Sequence, residues 1–173
     1  MTPDAAAPAV VSLRRMTAGD VEDVLDVQQP GAVLGLADVF PQELFPFPRE
    51  TVGRRWRDEI ADPVVDCLVV ELDGAVVGFA ATSGREVRHF GIAPALWGTG
   101  VAAAAHDALL DLMAARGIRR AWLTVYTDNH RGRRFYERLG WRPTGATSVG
   151  PVPPHAQLLR YDRDVGPARP TRA

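Results

Sequence analysis

Residues 86–141 read EVRHFGIAPALWGTGVAAAAHDALLDLMAARGIRRAWLTVYTDNHRGRRFYERLGW, and the reading of this run decides the fold. Glu86 to Ala93 is β-prone and breaks at Pro94; Trp97-Gly98-Thr99-Gly100-Val101-Ala102 then opens an alanine-rich helix to Arg116. A strand that feeds a helix through small residues leaves the first N–H groups of the helix unpaired, with the positive end of its dipole behind them. Such a helix start suits a phosphate or pyrophosphate. Glycine at 98 and 100 matters there, because a Cβ would hold the ligand's oxygens away from those N–H groups. Gly117 reads as a left-handed cap and Ala121 to Tyr126 as the next strand, so strand, crossover helix and strand imply a parallel pair.

On these residues the chain resembles the GCN5-related N-acetyltransferases. Trp97 to Ala102 is similar to that family's pyrophosphate loop, Q/R-x-x-G-x-G/A, and Asn129 to Trp141 (NHRGRRFYERLGW) is similar to its N-x-x-A-x-x-F-Y-x-x-L-G-F segment, with Asn129 and Tyr136 seven positions apart. Two motifs in the right order are far more specific than either alone. The chain departs from the pattern at three places: Trp97 stands for the usual Gln or Arg, Gly132 for Ala and Trp141 for Phe. The first removes a side-chain donor near the phosphates and leaves the backbone cradle.

The resemblance implies an α/β (α+β) single domain whose mixed central sheet has about seven strands, an antiparallel meander with one parallel pair at strands four and five, flanked by about four helices. It implies acetyl-CoA as cosubstrate, and the scattered histidines at 89, 106, 130 and 155 give no metal-ligand spacing, so no metal is expected. Strand four, at Phe90, Ile92 and Ala93, would offer backbone groups to the amides of pantetheine, with Gly91 as the site of a bulge that opens the gap. Trp97, Gly98, Thr99, Gly100, Val101 and Ala102 would cradle the pyrophosphate. Asn129 would hold the arm from the other side, or serve as an ordinary helix N-cap, or both. Arg131, Arg133 and Arg134 flank the expected nucleotide, Arg131 being the choice for a phosphate contact. Tyr136 matches the family's general acid, and Glu86 lies near the place of a carboxylate base, although other members deprotonate the amine through water. Glu86, Arg88, Phe90 and Ile92 would share one face of the strand and Val87, His89 and Gly91 the other; His89 is a weaker base candidate.

Composition bounds the rest. At 173 residues with 46% hydrophobic content the chain can bury one sizeable core. A net charge of -1 gives no electrostatic case for a nucleic-acid or anionic-membrane partner. All 20 basic residues are arginine, which suggests a GC-rich bacterial genome. The single Cys67 sits in a β-prone run as a small core residue. The N-terminus lacks the pattern of a signal peptide and no apolar run reaches ~18 residues, so the expectation is a soluble, cytoplasmic protein. Residues 1–9 and 165–173 have little to bury and are expected to be disordered around a single domain at 10–164. Dimerisation is common in such folds, and no stretch proves it here.

Upstream, Val10 to Met16 reads as a first strand and Val21 to Gln28 as a helix, followed by an irregular stretch at 30–48. Phe40 to Pro48 holds three Phe and three Pro, and forms either a pocket wall or an aromatic plug over the core. Arg49 to Ala61 reads as a helix whose Arg54–Asp58 and Arg55–Glu59 spacings suit pairs on a solvated face, a better account than nucleic-acid binding. Asp73-Gly74 marks a hairpin between Cys67–Leu72 and Ala75–Ser83. In the central helix His106, Asp107 and Asp111 form a narrow polar stripe, and strands at 142–148 and 156–162 close the chain around a second loop at 149–155.

Two other functions are open. Gly98, Gly100 and Ala103 also fit G-x-G-x-x-A of an NAD(P)-dependent oxidoreductase, but Pro94 to Trp97 separate them from the strand and no acidic residue ends the next strand. A non-catalytic acyl-CoA-binding module is the other. The preferred reading is an N-acetyltransferase acting on a primary amine of a small molecule.

Overall fold

A computed structural model describes residues 10–167; of the ends expected to be disordered, 1–9 and 165–173, residues 1–9 and 168–173 lie outside the described residues. In chain order the elements are β1 (Val11–Arg15), α1 (Val21–Gly35), α2 (Arg49–Ala61), β2 (Asp66–Leu72), β3 (Ala75–Ser83), β4 (Glu86–Ile92), α3 (Val101–Ala115), β5 (Arg120–Tyr126), α4 (His130–Arg138), β6 (Arg142–Val149) and β7 (Gln157–Asp164). The strands form one sheet in the order β1-β2-β3-β4-β5-β7-β6. Among the described residues only β4 and β5 run parallel. This is the expected architecture.

Alternation along the strands divides the core. Val69 of β2 packs with Leu25 of α1 and Trp56 of α2, whereas its neighbour Leu68 packs with Leu109 and Met113 of α3. So α1 and α2 cover one face of the sheet, and α3 covers the other with Trp141 and Tyr161. Asp20, almost fully buried, accepts from the Thr17 N–H and hydroxyl at 2.7 and 2.8 Å and from both Arg14 terminal nitrogens at 3.0 and 2.8 Å. The Arg14 guanidinium holds this carboxyl well below the usual carboxylate range, tying β1 to the start of α1. Burial pushes the Cys67 thiol up to about 11, which leaves it inert.

Four details differ from the sequence reading. Helix α1 runs past Pro30 to Gly35, because a proline there removes one N–H while Val21, Val24, Leu25 and Val27 anchor the preceding turns in the core. Val165, expected to lie in a loose tail, is buried and donates its N–H to Arg119 at 2.9 Å. The bulge on β4 falls at Arg88, since Thr82 faces Val87 and Ala81 faces His89. That extra residue flips the faces: Val87, Phe90 and Ile92 pack toward α3, while Arg88 and His89 turn toward α2. Gly91 has another reason to be glycine, because a Cβ there would lie 2.4 Å from Cζ of Phe79.

His106 is the fourth. It is not on a polar stripe but 2% exposed, among the rings of Phe90, Phe135, Tyr136 and Trp141. Its Nε2 accepts the indole N–H of Trp141 at 2.8 Å. Burial, then the charge of Arg163, pushes its pKa down to about 4. The unfolded imidazole binds a proton near ~6.5 that the folded one refuses until about 4, so its contribution is complete above the first value and lost as pH falls toward the second. Urea unfolding between these limits should show up to about 3 kcal/mol of stability lost from this group. His106→Gln, which keeps an acceptor for Trp141, should flatten that part of the curve; an unchanged slope would remove His106 as its cause.

Candidate functional site

The parallel pair is scarcely paired. Glu86 and Trp122 are the single register partners of β4 and β5, joined where the Trp122 N–H donates to the Arg85 carbonyl at 3.0 Å. Beyond them the strands part, β4 held on its far side by β3 and β5 by β7. The Ala93 N–H donates to Val77 of the β3 ladder at 2.8 Å, so residues 91 and 93 turn their backbone groups toward β3, and Phe90 and Ile92 turn theirs toward the gap. An extended chain of amides can add itself to that edge. Of the three strand-four residues expected to do so, Phe90 and Ile92 face the gap; the Ala93 N–H is committed to β3.

At the mouth of the gap a short 3-10 turn, Pro94–Leu96, leads into the glycine loop. Gly98 and Gly100 have φ of 80° and 91°, which an L side chain rarely adopts, and open space lies where a Cβ would stand. The first helical N–H to reach back belongs to Ala104, bonding Gly100 at 3.0 Å. Among the described residues the N–H groups of Gly98, Gly100, Ala102 and Ala103 have no backbone partner, and that of Val101 meets only Thr99 Oγ1 at 3.5 Å. Here is a row of donors at a helix N-terminus, matched to pyrophosphate oxygens.

Trp97 is turned away from these donors. Its indole N–H donates to the Ile92 carbonyl at 2.9 Å, and the Arg131 guanidinium lies over its ring at 3.8 Å. Arg131 has no ion pair among the described residues; burial, then repulsion from Arg138 and Arg134, holds its pKa down. Three arginines of α4 thus crowd together without a counter-ion. Arg133 is different: it donates to the Tyr161 hydroxyl at 3.3 Å and the Thr127 carbonyl at 3.1 Å, facing the body of the protein.

Asn129 caps α4, its Oδ1 accepting from the Gly132 N–H at 2.9 Å. A Cβ at Gly132 would lie 2.5 Å from Asn129 Nδ2, so glycine in place of the family's alanine gives this cap its room. The amide Nδ2 remains a donor at the C-terminal end of β5. Tyr136 is half-buried against a core that includes Val87 of β4 and Leu123 and Val125 of β5. Its hydroxyl has no hydrogen-bond partner among the described side chains, and burial raises its pKa, so the phenol keeps its proton at neutral pH.

The opposite face of the gap is a separate surface. Because Ala121, Leu123 and Val125 are buried toward α3, the side chains of Trp122, Thr124 and Tyr126 face the α2 side, as do Arg88 and His89. Phe40 of the proline-rich loop meets Tyr126 edge-on at 5.3 Å, and Gly150 comes so near that a Cβ would touch the same ring at 3.0 Å. Both expected lips of the acceptor side, 30–66 and 149–155, therefore reach one tyrosine. Glu86 stands at the closed end of the gap with Arg88 Nη1 3.9 Å away. An open hollow of about 450 Å³ beside Arg14, Asp26 and Glu71 holds none of these residues.

The sequence reading missed Glu59. Its expected pairing with Arg55 on a solvated face, like that of Arg54 with Asp58, is not among the ion pairs of the described residues. Glu59 is 8% exposed and lies within 3.0 Å of His89 Nε2 and 3.4 Å of Arg88. The signal was present: Val52, Trp56 and Glu59 share a helical face, the first two apolar and buried.

The comparisons agree with this geometry. The model of the acetyltransferase (GNAT) family matches residues 33–141, more than half of the chain, and the chain belongs to that family. Among solved structures it is similar to the PaiA N-acetyltransferase of Thermoplasma acidophilum in complex with coenzyme A, at 16% identity and TM-score 0.67 over 87% of this chain and 98% of that one. It is similar to the spermidine N-acetyltransferase of Vibrio cholerae in complex with CoA and spermine, at 18% identity and TM-score 0.67, covering 90% and 95%. A third is the ribosomal-protein-S18-alanine N-acetyltransferase of Escherichia coli, at 16% identity and TM-score 0.66, covering 95% and 99%. No curated protein sequence matches the chain. The fold and the donor row fit acetyl-CoA as cosubstrate.

Arg131→Ala should weaken CoA binding about tenfold, or ~1.4 kcal/mol, by calorimetry. Arg133→Ala, facing away, should change it by less than about twofold. Equal losses in the two variants would contradict this division.

Proposed function

We propose that the protein transfers the acetyl group of acetyl-CoA to a primary amine of a small molecule, with Tyr136 as general acid. What carries the reading is the parting of β4 and β5 above the row of free N–H groups, with a tyrosine, its hydroxyl unpartnered among the described residues, packed against the core that both strands help to form. Phe90 and Ile92 hold the pantetheine arm through their backbone, Asn129 Nδ2 meets it from β5, and Gly98 to Ala102 with Arg131 take the pyrophosphate. The acetyl group then lies in the gap, open to the face of Trp122, Thr124 and Tyr126 where the amine arrives.

A protonated alkyl amine, with pKa near ~10, has no lone pair for attack, and a departing thiolate of ordinary pKa ~8.5 accepts a proton readily. Tyr136 supplies that proton to the sulfur. Glu86 is one base on the acceptor face, direct or through water. Small amines are favoured as acceptors because the Phe40 and Gly150 loops both close on Tyr126 and narrow the approach. A spermidine acetyltransferase among the fold neighbours supports a small amine, and one named for a ribosomal protein's alanine keeps a peptide N-terminus as the second reading.

A thiol-release screen over polyamines, amino acids, aminoglycosides and peptide N-termini tests the reading. Tyr136→Phe should lower kcat by about 10²- to 10⁴-fold with the Kd for acetyl-CoA kept within about twofold. Turnover unchanged in that variant would remove Tyr136 from the chemistry, and CoA binding without release from any amine would favour a non-catalytic acyl-CoA module.

A further inference from the structure

We infer that His89, held by Glu59, is the base that takes the proton from the acceptor ammonium, ahead of Glu86. The inference rests on the acetyltransferase reading above. His89 lies beyond the last contact of β4 with β5, and the bulge at Arg88 turns its ring onto the acceptor face. Its Nε2 is hydrogen-bonded to Glu59 Oε1 at 3.0 Å. A carboxylate at Nε2 fixes the proton on that nitrogen and leaves Nδ1 as the lone-pair acceptor. Nδ1 has no hydrogen-bond partner among the described residues and is not sealed from solvent, while the side chain keeps 20% of its surface. Trp56 meets the ring edge-on at 5.0 Å and limits its rotation.

A second observation points the same way. Glu59 is almost fully buried, and both of its oxygens lie 3.0 Å from His89 Nε2, Oε1 in a hydrogen bond and Oε2 in an ion-pair contact. Taking a carboxylate out of water is costly even when it is paired, so one kept there calls for a reason beyond joining α2 to β4. The charged neighbours are Arg55 of α2 and Arg88 of β4, with the Cys67 thiol of β2 nearby. Burial works against the ionised form of Glu59, but His89, Arg88 and Arg55 together outweigh it and hold its pKa below the usual value. The carboxylate is therefore ionised and ready to stabilise an imidazolium. Glu86, by contrast, stands where the strands still touch.

In the reaction the ammonium gives one proton to His89 Nδ1, which passes it to water. The neutral nitrogen attacks the thioester carbonyl; as the C–N bond forms and the C–S bond breaks, the sulfur takes the Tyr136 proton. The second proton shed by the nitrogen restores the phenol, so the products are amide, free thiol and one released proton.

His89→Gln tests the assignment, because its amide keeps a donor to Glu59 and removes the base; Glu59→Gln and Glu86→Gln run beside it. The probes are the best alkylamine from the thiol-release screen and methoxyamine, which is neutral at pH 7. His89→Gln should lower kcat/KM about 10²-fold for the alkylamine and less than about threefold for methoxyamine, with CoA affinity kept. Glu59→Gln should show the same dependence on acceptor basicity, more weakly, and serves if the first variant melts early. An equal penalty on both acceptors would mean that the pair only holds the fold, and a basicity-dependent loss in Glu86→Gln alone would return the role to Glu86. If the wild type binds acetyl-CoA yet acetylates neither probe, this assignment falls together with the enzymatic reading.

Discussion

Two neighbouring strands that stop pairing inside a sheet present a physical cost, and the site exists because this protein bears it. After Glu86 and Trp122, β4 and β5 forgo the ladder that every other pair in the sheet keeps. Phe90 leaves an N–H and a C=O to water or to a ligand, and Ile92 its N–H, its carbonyl being taken by the Trp97 indole. The separation is held by packing on the α3 side, where Phe90 of β4 stacks on Phe135 of α4 at 5.9 Å and 14°, with His106 edge-on to both. A wedge of rings keeps the strands apart, and the Trp141 indole fixes the wedge by bonding the histidine at its centre.

The bulge at Arg88 is the second device. A regular strand would put Arg88, Phe90 and Ile92 on one face. With one extra residue in β4, the aromatic and aliphatic side chains remain in the α3 core while Arg88 and His89 both turn to α2, so polar groups accumulate on the α2 side of the gap and apolar ones on the α3 side.

Much of this was legible in the chain. Asp73-Gly74, with φ of 51° and 82°, makes the hairpin its dipeptide announces, and the glycine loop opens α3 where the motif places it. What could not be read follows from tertiary pairing. A bulge is a property of two strands in register, and nothing in EVRHFGI alone selects Arg88 over Gly91 as the extra residue. Pro30-Gly31 reads as a break and is overridden by the buried turns before it. Glu59 has a good i−4 arginine and so reads as solvated; the stronger partners, His89 and Arg88, lie across the fold.

The substitution at Trp97 then gains a physical sense. A side-chain donor in that place would serve the phosphates directly; tryptophan gives that up, and its indole N–H secures Ile92 at the end of β4 instead. Its ring packs toward Gly35 of α1 and carries the Arg131 guanidinium, which comes from the far side of the gap, beyond β5. A positive charge from α4 thus stands beside the loop, oriented by stacking and set among neighbours of like sign. The stack also ties the two parted strands at their open ends, as Glu86 and Trp122 tie them at the closed one. The gap has a contact at either end, and only its middle is left open.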